Sequence, residues 1–193
     1  MPIDREAAER AVAQFLTALG HDIKSDPELA DTPARVVDAF AGDLLVGYEV
    51  DIERLVVDGS MQADSEHGLV AVRDIAVATV CPHHLLPALG KATVAYQPGA
   101  RLLGLGTIAS LVDAYCRRLT LQEAIGRNVV QALMQHAQAR GAWCRIELRH
   151  SCLSARGERQ SGARVESVAS AGTLAAPGAL AGLFPSESSG PGT

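Results

Sequence analysis

The sequence has few aromatic residues, no excess of basic residues and no long apolar run. Aromatic side chains make up 4% of the 193 residues, too few for a surface on which single-stranded nucleic acid bases would stack. The net charge of −5 argues against a general nucleic-acid-binding protein, although a few local arginines can still hold one anionic ligand. No apolar stretch approaches the roughly 20 residues of a membrane span. We therefore expect neither nucleic acid nor a membrane as a partner.

Cysteine is also scarce, with four residues in the chain. The charged N-terminus, residues 1–14, lacks the apolar core of a secretion signal, so we expect a cytoplasmic protein. In that compartment cysteines are thiols or metal ligands more often than disulfides. Cys116 and Cys144 have no other metal-ligating residue type close by in sequence, and we expect them to be buried thiols.

Hydrophobic periodicity predicts an order of two helices, two strands, two helices and two strands. Helices are predicted over residues 4–19, from residue 31, over 107–116 and over 121–139, and strands over 70–80, 91–98, 143–149 and within 163–169. Thr32 is predicted as the N-cap of the second helix, with Pro33 at its first position. The first two strands are joined by too few residues for a crossover helix, which predicts an α+β fold with an antiparallel sheet and helices on one face.

Composition divides the chain into three regions. Residues 1–58 are expected to be an N-terminal helical region, and residues 59–174 a domain that contains the sheet. Residues 175–193 are rich in Ala, Gly, Pro and Ser, which predicts a flexible tail.

Two short motifs carry candidate metal ligands. Cys81-Pro82-His83-His84 follows one predicted strand, and His150-Ser151-Cys152 follows another. One sheet can bring two strand ends together, and thiolate and imidazole are the ligands that zinc prefers.

Three interpretations of these motifs stay open. A catalytic zinc would use three protein ligands and a water, leaving other histidines for proton transfer. A structural zinc would be bound by four protein ligands, Cys81, His84, His150 and Cys152, with no position left for water. In the third interpretation no metal binds, and the histidines cap strand ends. The surplus of candidate ligands favours catalysis. Gln122-Glu123 lies at the start of a predicted helix. An acid in the first turn interacts favourably with the helix dipole, so Glu123 can be explained without a functional role.

Taken together, several segments resemble the GTP cyclohydrolase I family over roughly residues 30–173. They are Asp31-Thr32-Pro33-Ala34-Arg35, Val72-Arg73-Asp74-Ile75, Cys81-Pro82-His83-His84-Leu85-Leu86-Pro87, Gly90-Lys91-Ala92-Thr93-Val94-Ala95-Tyr96, Gly104-Leu105, Arg118-Leu119-Thr120-Leu121-Gln122-Glu123, and His150-Ser151-Cys152 to Arg156-Gly157.

The resemblance implies a tunnelling fold, in which subunits join their antiparallel sheets into a barrel. Two such rings stack into a homo-oligomer, a decamer, with active sites between subunits. It further implies a Zn²⁺ ion held by Cys81, His84 and Cys152, with His83 and His150 as the residues that transfer protons.

The reaction that the resemblance implies is opening of the guanine imidazole ring at C8 of GTP, with release of formate and a dihydroneopterin-type product, as in pterin and tetrahydrofolate biosynthesis. Glu123, with Gln122 beside it, would bind the guanine edge, and Arg35 and Arg156 would bind the phosphates. A buried carboxylate can accept hydrogen bonds from the guanine N1–H and amino group, which adenine does not offer in that arrangement.

The phosphate contacts depart from the family pattern. Asp38, Thr107 and Ser110 stand where the family has cationic residues, and Pro82 stands where it usually has Glu. Each lost hydrogen bond to a charged group is worth ~1.5–3 kcal/mol, so three would weaken triphosphate binding by roughly 4 to 9 kcal/mol.

Two alternatives to a GTP-specific enzyme therefore stay open. One is a paralogue that acts on a less phosphorylated guanine nucleotide or nucleoside, and the other is a non-catalytic tunnelling-fold scaffold. The cations near enough in sequence to compensate are Lys91, Arg117, Arg118 and Arg159.

Overall fold

The computed structural model describes residues 3–180, so most of the expected tail, residues 175–193, lies outside the described residues. Within this range the α-helices are α1 (Arg5–Ala18), α2 (Thr32–Ala39), α3 (Ile52–Asp58), α4 (Leu105–Cys116), α5 (Gln122–His136) and α6 (Ser151–Ser154). The strands are β1 (Ser60–Gln62), β2 (Val70–Val80), β3 (Pro87–Gln97), β4 (Arg101–Leu103), β5 (Gly141–His150) and β6 (Val165–Gly172). Short π- and 3₁₀-helical turns lie at Phe40–Leu44, Val46–Glu49 and Thr173–Ala175.

Aspartates begin the N-terminal helices. The Asp4 carboxylate accepts a hydrogen bond from the Ala7 amide at 2.9 Å and caps α1. The N-cap of α2 is Asp31, so the prediction of Thr32 was wrong by one residue. The reason is that the Arg35 amide already donates to the Asp31 carbonyl at 3.0 Å, which starts the helical hydrogen bonding one residue earlier.

Four antiparallel strands form the main sheet in the order β2-β3-β5-β6, and β1 pairs separately with β4. The register places Val80 opposite Pro87 and Ala88 opposite His150. The C-terminal ends of β2 and β5 therefore meet at one end of the sheet, on either side of the start of β3.

Helices α4 and α5 cover one face of this sheet, which confirms the predicted α+β architecture. Alternate side chains of β3 and β5 point into the core against these helices, and they include Val94, Tyr96, Cys144, Ile146 and Leu148, each at most 1% exposed. The opposite face carries charged side chains, among which Arg145 pairs with Glu166 at 2.7 Å. Among residues 3–180 there is no helix long and apolar enough to cross a membrane.

Four labelled elements were missed from the sequence, among them the one-turn helix α6. Strands β1 and β4 have three residues each, too short to show an alternating pattern, and α3 has seven residues, two turns of helix. Strand β3 begins at Pro87 rather than near residue 91, because β2 and β5 both pair with its first residues. The region boundaries at residues 58 and 174 stay predictions.

Candidate metal centre and active site

A tight turn after β2 holds Cys81 beside His84. The Cys81 amide donates to the Leu86 carbonyl at 2.9 Å, and the Leu85 amide donates back to the Cys81 carbonyl at 2.9 Å. Leu85 has a φ of 54°, a left-handed conformation that costs a non-glycine residue roughly 1–2 kcal/mol. Pro82 follows Cys81 in the turn, where its fixed φ suits the second position. The turn leaves the Cys81 Sγ 3.6 Å from the His84 Nδ1.

The end of β5 brings Cys152 to the same place. His150 is the last residue of β5, and Cys152 lies in the one-turn helix α6 directly after it. The Ala155 amide closes this turn on the Ser151 carbonyl at 2.8 Å. The ligand atoms of Cys81, His84 and Cys152 all lie within 4.8 Å of one another, so this group could hold a metal ion.

The four cysteines fall into two environments. Cys116 and Cys144 are 1% and 0% exposed, and burial raises the pKa of each thiol to about 12, which confirms the prediction of buried thiols. Cys152 is half-buried; burial raises the pKa of its thiol, and a hydrogen bond with Cys81 raises it further. Only the pair at the strand ends is open to a ligand.

A cavity of about 270 Å³ lies beside the cysteine and histidine cluster. Its walls contain seven of the nine site residues predicted from the sequence: Cys81, His83, His84, Gln122, Glu123, His150 and Cys152. The other two, Arg35 and Arg156, do not line it. Arg156 is exposed and close enough to Cys152 for its charge to counteract part of the rise in that thiol's pKa.

Gln122 and His150 are tied together inside the cavity. The Gln122 side chain is 5% exposed, and its Oε1 lies 2.8 Å from the His150 Nε2. Its Nε2 donates to the carbonyls of Ile146 at 3.0 Å and Val165 at 2.9 Å. Burial lowers the pKa of His150, while the negative charge of Glu123 partly opposes this shift.

His83 and Glu123 lie at the open side of the cavity. The His83 Nδ1 is 4.0 Å from the Cys81 Sγ, and the His83 and His84 rings meet edge to face at 6.2 Å between centroids. Glu123 was expected to be a buried carboxylate, but it is exposed in this chain. The reason is that it points away from the core at the first turn of α5.

Thr79 is a cavity residue that the sequence analysis missed. It is 4% exposed, and its hydroxyl has no hydrogen-bond partner among the described residues. The available signal was the alternation of β2, which puts Thr79 on the buried face with Val77, two residues before Cys81. A buried hydroxyl without a partner costs ~1–3 kcal/mol, so this atom is suited to a ligand or an ordered water.

Residues 8–183 match the sequence model of the family described as GTP cyclohydrolase I. The chain belongs to the GTP cyclohydrolase I family. This confirms the resemblance stated above, the hydrolase class and the tunnelling fold that go with it.

Curated relatives agree with this assignment. A protein named GTP cyclohydrolase 1 from Chromobacterium violaceum is 45% identical over 166 residues, which is 85% of this chain and 78% of the relative. One of the same name from Leifsonia xyli subsp. xyli is 37% identical over 181 residues, 94% of each chain. Among solved structures, the archaeosine synthase QueF-Like in the apo form superposes with a TM-score of 0.45 and 19% identity, covering 56% of this chain and 97% of that one.

Of the three residues that depart from the family pattern of cations, Asp38, Thr107 and Ser110, the first two are engaged in contacts within the fold. Asp38 on α2 forms an ion pair with Arg5 on α1. The Thr107 hydroxyl donates to the Gly59 carbonyl at 3.0 Å. Ser110 lines a separate groove.

Three of the four cations considered as compensating residues also have partners. Lys91 pairs with Asp74 at 3.0 Å, and Arg117 pairs with Asp113 at 2.9 Å.

Arg118 donates to the Gly47 and Ala114 carbonyls at 2.9 and 3.0 Å, and its guanidinium lies 4.8 Å from the centre of the Tyr115 ring. Arg159, the fourth, has a left-handed backbone with a φ of 51° and makes no side-chain ion pair with another residue in the range 3–180. Arg35 itself pairs with Asp31 at 3.1 Å.

Proposed function

We propose that this chain is a zinc-dependent cyclohydrolase that opens the imidazole ring of a guanine nucleotide at C8, releasing formate and forming a dihydroneopterin-type product. The observation that carries the proposal is the convergence of Cys81, His84 and Cys152 beside a cavity that also contains His83, His150 and Glu123. Membership of the GTP cyclohydrolase I family supports GTP as the first candidate substrate.

The donor set fits Zn²⁺. Zn²⁺ is a borderline-soft ion that binds thiolate and imidazole, and three protein ligands leave a fourth position of a tetrahedron for water. Zinc–sulfur and zinc–nitrogen bonds of about 2.3 and 2.0 Å place tetrahedral ligands roughly 3.3–3.8 Å apart, and the Cys81 Sγ and His84 Nδ1 are 3.6 Å apart. When bound, zinc would activate water for attack on the ring carbon at neutral pH.

The remaining side chains divide recognition and proton transfer between them. Glu123 would accept hydrogen bonds from the guanine N1–H and amino group, and so would distinguish guanine from adenine. His83 and His150 would exchange protons with the ring nitrogens and with water, a task suited to imidazole near neutral pH. Thr79 would offer its free hydroxyl to the ligand or to an ordered water.

We further propose a cytoplasmic homo-oligomer, with a decamer as the assembly that the family resemblance implies. Large apolar side chains lie exposed in the single chain near the cavity, at Leu85 (53%) and Leu121 (46%). On α1, Phe15 and Leu19 are 62% and 60% exposed. Burial of these side chains against further copies of the chain would enclose the open side of the site, including Glu123.

A less phosphorylated guanine nucleotide or nucleoside is the second candidate substrate. It is favoured by the engagement of Arg35, Asp38 and Thr107 in contacts within the chain. A substrate with fewer phosphates requires fewer cations, whereas GTP would have to be held by Arg156, by cations released from their present partners, or by another subunit.

A substrate panel tests both candidates. The full chain, loaded with one zinc per subunit, is incubated separately with GTP, GMP and guanosine, and formate and pterin fluorescence are measured. Turnover of GTP at the highest kcat/KM supports the first candidate, and turnover of GMP or guanosine with little of GTP supports the second. Zinc-loaded protein that releases formate from none of the three contradicts the proposed function, and the same protein after chelation is the blank.

A further inference from the structure

The Gln122 side chain has partners for both of its amide protons and for its oxygen. Its two amide protons point to the carbonyl oxygens of Ile146 and Val165, at 3.0 and 2.9 Å. Its oxygen lies 2.8 Å from the Nε2 of His150. Gln122 is thus held by two neighbouring strands, β5 and β6, and presents one atom to the histidine.

This arrangement fixes which end of the amide faces His150. The reversed amide would place Oε1 against two carbonyl oxygens, where no hydrogen bond can form. It would leave the buried Ile146 carbonyl without this partner, at a cost of ~1–3 kcal/mol, as well as the part-buried Val165 carbonyl. The Gln122 oxygen is therefore the atom that meets the ring. Because an amide oxygen only accepts hydrogen bonds, the His150 Nε2 must carry a proton.

We propose, building on the proposed function, that Gln122 is a positioning residue that holds the His150 ring with a proton on Nε2 and so keeps Nδ1 as a hydrogen-bond acceptor for the reaction. The His150 Nδ1 makes no hydrogen bond with any residue in the range 3–180, and the ring lines the cavity. That nitrogen is therefore available to take a proton from a water or from a substrate group in the cavity.

The same contacts separate this role from direct substrate binding, which the sequence predicts for Gln122. Both amide protons are already donated to backbone carbonyls, so Gln122 can donate to guanine only by breaking one of those bonds. A binding residue lost by substitution raises KM, whereas loss of a residue that orients the proton acceptor lowers kcat.

Nuclear magnetic resonance of the zinc-loaded full chain tests the tautomer directly. Long-range ¹H–¹⁵N correlations of the imidazole show which nitrogen is protonated, with His150 identified by the signals that vanish in His150→Ala. We expect Nε2 protonated and Nδ1 unprotonated in the neutral ring of the wild-type protein. Protonation at Nδ1 overturns the proposal, and this measurement requires no substitution at Gln122.

Substitution of Gln122 tests the consequence for catalysis. Gln122→Met keeps the length of the side chain but removes its hydrogen bonds, and we expect kcat to fall about 10- to 100-fold, as for other residues that orient a functional histidine. KM should stay within about threefold, and the His150 Nε2–H signal should be lost to exchange with water. Gln131→Met, an exposed position on the same helix, is the matched control and should leave both measurements unchanged.

A double substitution separates action through His150 from a contribution to folding or binding. If Gln122 acts through His150, adding Gln122→Met to His150→Ala causes no further loss of kcat, whereas independent losses that multiply overturn the proposal. The two proposals fail separately. Absence of formate from every guanine substrate overturns the proposed function and leaves the tautomer to be decided by the spectrum, and a protonated Nδ1 in an active enzyme overturns only the role of Gln122.

Discussion

The cavity and the surface of helices α1 and α2 are held by interactions of different strength. In the cavity, the ends of β2 and β5 and the start of α5 bring Cys81, Cys152 and Gln122 to one place, and hydrogen bonds to strand backbone hold Gln122 there. On the helix surface, Arg35 and Asp38, which stand at proposed phosphate-binding positions, make exposed ion pairs. The difference indicates which part of the molecule can change without cost to the fold.

Magnitudes make the contrast quantitative. An exposed ion pair such as that of Asp38 with Arg5 is worth about 0–1 kcal/mol, so replacement of its members scarcely alters stability. Leaving the buried Ile146 carbonyl without its Gln122 partner would cost ~1–3 kcal/mol. Substitutions on the surface of α1 and α2 can therefore be accepted while the arrangement of the cavity is kept.

The largest effect is expected at the metal cluster. Cys152→Ala removes one of three ligand atoms, and we expect both bound zinc and formate release to fall to background. Zinc per chain and activity are measured on the same sample. Cys144→Ala, a buried thiol outside the cluster, should keep one zinc per chain and lose only about 1 kcal/mol of stability. Retention of stoichiometric zinc by Cys152→Ala would contradict the ligand assignment.

Next comes the histidine at the open side of the cavity. His83→Ala should keep its zinc, while kcat falls roughly 10²- to 10⁴-fold through loss of general acid–base catalysis. His21→Ala, at an exposed histidine outside the cavity, should have wild-type rates. Zinc-replete His83→Ala with normal kcat would show that His83 transfers no essential proton.

Glu123→Gln tests recognition of the base. A neutral amide replaces the acceptor of two guanine hydrogen bonds, and we expect kcat/KM to fall about 10- to 100-fold with unchanged zinc content. Glu53→Gln, an acid at the corresponding first-turn position of α3, controls for the helix dipole. Our assignment fails if the two variants lose activity equally.

Thr79→Val removes the unpartnered hydroxyl while nearly keeping the shape of the side chain. We expect the free energy of unfolding of the metal-free chain, measured by urea titration, to stay the same or rise by about 1 kcal/mol, because no hydrogen bond within the chain is lost. The kcat/KM should fall about tenfold, since a hydrogen bond to the ligand or its water is worth ~1 kcal/mol or slightly more. Thr93→Val, on the other face of the sheet, is the control, and destabilisation by Thr79→Val would contradict the prediction.

The smallest effect is expected from placing cations at two proposed phosphate-binding positions, Asp38 and Thr107. Asp38→Lys combined with Thr107→Lys should raise kcat/KM for GTP relative to guanosine by up to about tenfold, limited by solvent screening of exposed charges. Asp58→Lys, at another exposed ion-paired acid, controls for the charge reversal at Asp38. An unchanged ratio of the two substrates would mean that these positions do not face the phosphates.

Long periodic segments were predictable from the sequence. Short elements, and boundaries that are set by pairing with neighbouring strands, were not. The helix over residues 121–139 corresponds to α5, since its apolar residues recur four apart along 15 helical residues. The start of β3 at Pro87 was missed because pairing with two neighbouring strands, not local preference, sets that boundary. The same distinction applies to the site. Cys81 and Cys152 are predictable from strand ends and the buried position of Thr79 from strand alternation, whereas the unpartnered state of the Thr79 hydroxyl emerges only in the folded chain.

The sequence by itself determined the chemistry that is present: two thiols and three histidines placed directly after strands, and an acid at a helix start. Only the tertiary structure decided how these groups are used. Gln122 meets backbone carbonyls 24 and 43 residues away, and the register of β5 with β6 places those carbonyls where they fix the orientation of its amide. Hydrogen bonds are directional and short. The hydrogen bond between Gln122 and His150 therefore depends on where the fold places the Ile146 and Val165 carbonyls, which no local pattern in the sequence specifies.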